Sequence, residues 1–378
     1  MSLRLYIRPI AMAASPQALS GTGGGDTVRL AGGMAWASHL ALILREGPRV
    51  TQRHVVTPAG MAAALADLPS SVQAEGEAQW AALRKVHAPL TLPTRDGHRT
   101  IRLDSPQIMG ILNITPDSFS DAGTFMDRPD VAQTHAAMML EAGAAMIDVG
   151  GESTRPGAAA VWEGDEIKRV VPAVEHLSAM GAAISLDTRR LAVMEAGLAA
   201  GAQIINDVSA LRHDPRALDF VARSGVPVCL MHAPGDDLDL HRSEGYGDVV
   251  LDVFDWLAAR RDAALAAGIA ADRILLDPGI GFGKSLADNL ALMNALPLFH
   301  ALGCPLLVGA SRKRMIGALS AEAPAHKRLG GSVALAVAMM EAGVQIIRVH
   351  DVPETVQAMH VWRGMRDAAL TDFSQVVG

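Results

Sequence analysis

The sequence predicts a (β/α)8 TIM barrel of the α/β class, carrying an N-terminal extension of about 100 residues. Three observations point there. From about Gln107 onward, a short apolar β-branched run, a polar or glycine-rich loop and an Ala-rich amphipathic stretch recur, and such alternation calls for a parallel sheet. The unit recurs eight times in about 270 residues, the count for a closed barrel. The unusual polar residues fall at or just after the C-terminal ends of the strand candidates, the active face of a barrel. A doubly wound open sheet is the alternative, and the last observation disfavours it.

The strand candidates are 108–114, 145–149, 183–187, 203–207, 226–231, 274–277, 305–309 and 345–349. Helices are expected between them, among others over 131–142, 166–180, 191–200, 216–224 and 333–341. Gly143, Gly181, Gly201, Gly225, Gly268 and Gly343 stand where a helix would end in a left-handed residue before the next strand. Residues 90–103 read as a hairpin turning at Asp96-Gly97 and covering the bottom of the barrel, which places the barrel in 90–378. Residues 1–89 form an extension of unknown role, with helices expected over 31–45 and 73–86. The glycine-rich run 20–25 reads as a turn rather than a phosphate loop, since no strong strand precedes it.

Half the residues are apolar and 19% are charged, an ordinary balance for a soluble globular protein. Aromatic content of 4% and a net charge of −7 with scattered basic residues argue against a nucleic-acid groove, but not against a small anionic substrate. Cys229 and Cys304 lack metal or redox spacing and read as buried thiols in a reducing compartment. Arg8 and Pro9 split the N-terminal apolar stretch, leaving no adequate signal-peptide core, and no apolar run reaches membrane-spanning length. A cytoplasmic protein without nucleic-acid or membrane partners is expected.

The strand ends carry the chemistry. An Asp closing a strand is commonly a turn former or helix cap. Here, however, acids, amides and cations from eight segments converge on one rim, and a buried polar cluster is costly unless something satisfies it. Asp187, Asn206 and Asp277 offer acceptors and an amide, the set that grips a flat heterocycle with a guanidine-like edge. Arg348 and His350 are two apart on a strand, project to one side and form a phosphate-type anion site. Lys313, in the run Ser311-Arg-Lys-Arg314, would be a surface lysine elsewhere; directly after a strand at the active end it becomes a site cation. The segment Asp277-Pro-Gly-Ile-Gly-Phe-Gly-Lys-Ser285 ends like a P-loop, but Pro278 occupies the position of the required first Gly. Patterns for zinc hydrolysis, α/β-hydrolase chemistry and dinucleotide binding are missing.

Over about 103–366 the ordered motifs MGILNITPDSFSDAG, IDVGGESTRPGA, SLDTR, INDVSAL, LMHAPGD, LLDPGIGFGKS, LVGASRKRMIG and IRVHDV resemble those of the dihydropteroate synthase family. That resemblance implies condensation of 6-hydroxymethyl-7,8-dihydropterin diphosphate with p-aminobenzoate, giving 7,8-dihydropteroate and pyrophosphate in folate synthesis. It implies that Asp187, Asn206, Asp277 and Lys313 hold the pterin, and that Asn113, Arg348 and His350 hold the diphosphate, with Asn113 also bearing on Mg²⁺. Asp187, Lys313, Arg348 and His350 are the implied catalytic set. Thr154, Arg155 and Pro156 would lie in a loop that closes over p-aminobenzoate with the loop 117–123, and Phe119 and Phe282 would wall its ring. A homodimer and sensitivity to sulfonamides are also implied. Arg314 stands where some members carry Ser, leaving its role open, and the resemblance is silent about the extension.

Two other readings compete. A pterin-dependent methyltransferase on a similar barrel would keep Asp187 and Asn206 but would not need the Arg348/His350 pair. A non-catalytic pterin-binding relative would be expected to have lost some of the polar residues that this chain retains.

Overall fold

The computed structural model describes residues 3–13, 27–115, 129–155, 157–158, 160–235 and 239–368. Strands β1 (Leu3–Ala13), β2 (Val28–Arg29), β3 (Trp36–Glu46) and β4 (Arg49–Val56) and helices α1 (Met61–Ala66) and α2 (Ser70–Arg84) form an N-terminal layer, followed by the hairpin β5 (Leu90–Thr94) and β6 (Gly97–Ile101). The barrel strands are β7 (Gln107–Asn113), β8 (Met146–Gly150), β9 (Ile184–Asp187), β10 (Ile204–Asp207), β11 (Val228–Met231), β12 (Ile274–Asp277), β13 (Leu307–Val308) and β14 (Ile346–Val349). The helices among and after them are α3 (Pro129–Glu141), α4 (Glu163–Ala179), α5 (Leu191–Ala200), α6 (Ala217–Ser224), α7 (Val249–Ala266), α8 (Leu286–Asn294), α9 (Arg314–Leu319), α10 (Leu329–Glu341) and α11 (Val352–Asp367). β7 to β14 pair in one parallel sheet, and a bridge between Leu276 and Leu306 closes β12 onto β13. The predicted barrel is what the chain forms, and the six helix-ending glycines named above all have positive φ.

Strand alternation explains how the barrel holds its site. One set of side chains points outward onto the helices, among them Ile147, Val149, Ile184, Leu186, Ile274 and Leu276. The inward set begins apolar at the N-terminal end with Met109, Met146, Ala183, Ile204, Cys229, Leu275, Leu307 and Ile346, packed against Leu90, Leu92, Ile101 and Leu103 of the hairpin. Two residues further along, the same inward positions become Asp148, Ser185, Asn206, Asp277 and Arg348. The hairpin therefore seals a dry floor, and the polar layer sits directly above it.

The extension differs from expectation at 31–45, which is not a helix: β3 occupies Trp36–Glu46. The run Leu40–Leu44 is apolar at every position and carries no period that separates helix from buried strand. Pairing decides it, because β3 is flanked by β1 on one side and by β4 and β2 on the other. β1 tolerates Pro9 because it is an edge strand with a register irregularity between Pro9 and Ala11. The sheet does not stand apart from the barrel. Tyr6 is fully buried and meets Phe254 of α7 edge-on at 5.5 Å, and Phe254 approaches Phe299 at 6.2 Å, so Leu5, Tyr6, Leu40 and Leu42 share one continuous core with the barrel's outer helices. No helix among the described residues is long and apolar enough to cross a membrane.

Candidate active site

A cavity of about 1140 Å³ opens at the C-terminal end of the barrel. Its wall includes Asn113, Asp187, Phe282, Lys313, Arg348 and His350, drawn from five different strand ends. Thr154 and Arg155 also face it. Asn206 and Asp277 lie just beneath, 5% and 6% exposed. Phe119 and Pro156, expected in the covering loops, lie outside the described residues, as do 117–123 and the glycine-rich run 20–25.

Arg348 is the hub. Its Nε donates to Asp148 Oδ2 at 2.5 Å and its Nη2 to Asp187 Oδ2 at 2.7 Å, while Asn206 Nδ2 donates to the same Asp148 oxygen at 3.2 Å. Burial disfavours the cation, but Asp148 and Asp187 outweigh that and hold Arg348 above its ordinary pKa. A guanidinium carries five N–H donors, so two carboxylate bonds leave donors for a ligand. Asp148 is fully buried and its Oδ1 has no hydrogen-bond partner among the described residues, a polar atom that a ligand or water would satisfy.

Burial pushes the Asp187 carboxyl up to about 7 against the pull of Arg348. Burial likewise raises Asp277, with Lys313 opposing, and lowers Lys313 to about 8, with Asp277 opposing. Asp277 Oδ1 also accepts from Gly279 N at 2.7 Å. Lys313 Nζ donates to Ile280 O and lies 4.8 Å from the centre of the Phe282 ring. His350 is neutral, its pKa lowered to about 3 by burial and then by Arg312 and Arg348; its Nδ1 lies 3.1 Å from Ser311 Oγ. It therefore serves the site as an uncharged imidazole beside the Arg348 cation. Not every acid at a strand end belongs here. Asp207 accepts from Ser209 N and Leu211 N at 2.7 and 2.8 Å and acts as the turn former of its own loop.

The rejected P-loop segment resolves in the same way. Ser285 is the N-cap of α8 in a reciprocal capping box with Asp288, and Lys284 Nζ ties the glycine loop by donating to Gly279 O at 2.8 Å and Phe282 O at 3.0 Å. The described residues hold no group of three or more His, Cys, Asp or Glu suited to a metal. Asn113 supplies one hard oxygen at the rim. Such an oxygen fits an ion like Mg²⁺, which keeps several waters and takes one or two protein ligands.

Four further residues at or around the site are given no role by the sequence. Asp148 reads there only as the start of the polar stretch ending its strand, and its inward register, two residues before Gly150, brings it to the site. Glu152 accepts from Arg189 at 3.2 Å and Arg190 at 2.7 Å, anchoring the strand end that carries Thr154. Lys284 was dismissed along with the P-loop. His241 stacks on Phe282 at 5.0 Å and 7°, its Nε2 lies 2.8 Å from Thr154 O, and Gly283 N donates to its Nδ1 at 3.3 Å. No sequence pattern marked His241.

Fold and site together define a barrel enzyme that takes a polar, planar ligand at its C-terminal mouth. The chain belongs to the pterin-binding enzyme family, whose model, described as pterin binding enzyme, matches residues 109–350. It is 48% identical over 274 residues to the dihydropteroate synthase of Neisseria meningitidis serogroup B, covering 71% of this chain and 96% of that protein. The dihydropteroate synthase of Xanthomonas albilineans, solved with 4-aminobenzoic acid, matches with a TM-score of 0.67 at 47% identity, covering 73% of this chain and 98% of the other. That of Yersinia pestis, solved in a sulfonamide drug complex, matches with a TM-score of 0.68 at 47% identity over 74% and 100% of the two chains.

Proposed function

We propose that this chain is a dihydropteroate synthase, joining 6-hydroxymethyl-7,8-dihydropterin diphosphate to p-aminobenzoate and releasing pyrophosphate. The observation that carries this is the cluster of Asp187, Lys313 and Arg348 in the cavity wall with buried Asp148, Asn206 and Asp277 around them, in a chain of the pterin-binding family.

In this reading the pterin lies edge-on to Asp187, Asn206 and Asp277, with Lys313 above it, and its diphosphate reaches the free donors of Arg348, neutral His350 and Asn113. Asn113 would hold Mg²⁺ beside the diphosphate, where the ion would supply Lewis-acid neutralisation of the leaving group. Arg348 stabilises the charge that grows on the pyrophosphate as the bond from the exocyclic carbon to oxygen breaks. The electron pair leaves with the pyrophosphate, and positive charge spreads from that carbon into the pterin. Asp187, as carboxylate, stabilises this charge. The aniline nitrogen of p-aminobenzoate attacks the carbon and then loses its proton. Thr154, Arg155 and Phe282 seat the aromatic ring and keep out water that would capture the cation. Sulfonamides would compete for that seat. A cytoplasmic homodimer completes the proposal.

Pure protein given the pterin diphosphate and Mg²⁺ should release pyrophosphate only when p-aminobenzoate is added. Tight pterin binding without release would instead make it a binding protein.

A further inference from the structure

The N-terminal layer, which lies outside the residues matched to the family, touches the barrel at the root of the active-site loop that carries His241 and Tyr246. Arg45 of β3 is 8% exposed and donates through Nη2 to Asp252 Oδ1 at 2.5 Å. The other oxygen of Asp252 accepts from the backbone N–H of Gly247 at 2.9 Å and Asp248 at 3.1 Å. Asp248 is the N-cap of α7, its side chain accepting from Val250 N and Leu251 N. One carboxylate thus joins a cation of the extension to the two residues where the loop enters its helix. At the other end of that short segment, Tyr246 Oη donates to Gly283 O at 3.4 Å, and His241 spans Thr154 and Phe282.

We infer that Arg45 is a positioning residue: through Asp252 it sets the segment 241–248 ahead of α7, and so the p-aminobenzoate end of the cavity. The inference rests on the synthase reading for the identity of that ligand, but not for the mechanical link. A guanidinium held between Asp252 and Asp255, the latter 3.8 Å from Nη1, has little freedom to move, so the loop root it grips is fixed relative to the sheet. Arg4 is the control on the same docking surface, because it pairs with Glu75 and Asp255 and does not reach Asp252.

The test compares Arg45→Gln with Arg4→Gln in the full chain. Arg45→Gln should raise the KM for p-aminobenzoate about tenfold, below the roughly 10²-fold cost of a 1 Å misplacement at reacting atoms. Its KM for the pterin diphosphate and its kcat should stay at wild-type values. Hydrogen exchange in the peptide 241–248 should quicken in Arg45→Gln and not in Arg4→Gln. Should Arg45→Gln fail to fold, Asp252→Asn, which keeps an acceptor for the two amides but loses the charge pair, should raise the same KM. A folded Arg45→Gln with unchanged KM and exchange overturns the inference, as does an equal effect of Arg4→Gln. Wild-type protein without p-aminobenzoate-dependent pyrophosphate release overturns the synthase reading instead, and the exchange comparison then still decides the role of Arg45.

Discussion

The Arg348 guanidinium stands 2.7 Å from Asp187, an ion pair that links the last barrel strand to the third across the cavity floor. Together with the bond to Asp148 it places one cation between two carboxylates, on residues assigned here to opposite ends of the pterin substrate. Removing it should therefore do two things. Arg348→Ala should weaken the diphosphorylated pterin much more than the bare pterin in calorimetry, and lower kcat by roughly 10²–10³. Arg348→Lys should restore little, because a single ammonium cannot reproduce two divergent N–H bonds. Equal losses for the two ligands would contradict the assignment.

The pH profile follows from Asp187 and Lys313. Asp187, with its pKa near 7, must be anionic to stabilise positive charge, so kcat/KM should fall as pH drops below about 7. Lys313, near 8, must stay protonated, so kcat/KM should fall again above about 8. A narrow bell is expected, and Lys313→Arg should extend its alkaline limb in whatever activity survives.

Gly281 has φ +87°, and a Cβ there would come within 2.8 Å of Lys313 Cδ. Gly281→Ala strains the backbone and displaces the lysine at once. Activity should drop more than tenfold, a factor worth about 1.4 kcal/mol, while the melting temperature changes little because the loop lies at the rim.

Deleting residues 1–85 would strip the cover from Phe254 and Phe299, which are 2% and 0% exposed. Loss of so much apolar burial should lower the melting temperature steeply or yield aggregated protein, as circular dichroism and light scattering would show. A soluble truncated chain with the wild-type melting temperature would show the extension to be a mere appendage.

Acid should destabilise the joint between the extension and the barrel. Burial holds His300 at about 4 and His87 at about 3, below the usual 6.5. Both are neutral in the fold, so their contribution is complete above about 6.5. It is lost progressively as pH falls towards the folded values, where the unfolded chain binds more protons. For His300 alone the span corresponds to roughly 3 kcal/mol. Urea unfolding should show a clear fall in stability between pH 7 and 5, and His300→Gln should flatten that slope.

Much of the site was legible because the barrel imposes a rule: polar residues at the C-terminal ends of buried strands converge. Asp187, Asp277, Lys313 and Arg348 obey it. Asp148 stood in the series of strand-end acids but received no role, because it sits inside its strand between Ile147 and Val149 and its ion-pair partner is 200 residues away in sequence. Glu152 and His241 act through loops whose contacts are long-range and leave no local pattern. β3 was misjudged because an unbroken apolar run takes its conformation from its neighbours.

The hairpin of Leu92 and Ile101 closes the floor of the barrel, so among the described residues the cavity opens at the C-terminal end. A ligand lying on Asp277 and Asn206 would have to be lowered in before another rests against Phe282, and would be held while that upper seat is taken. Order of loading would then be a matter of architecture, with the shallow ligand acting as a lid on the deep one.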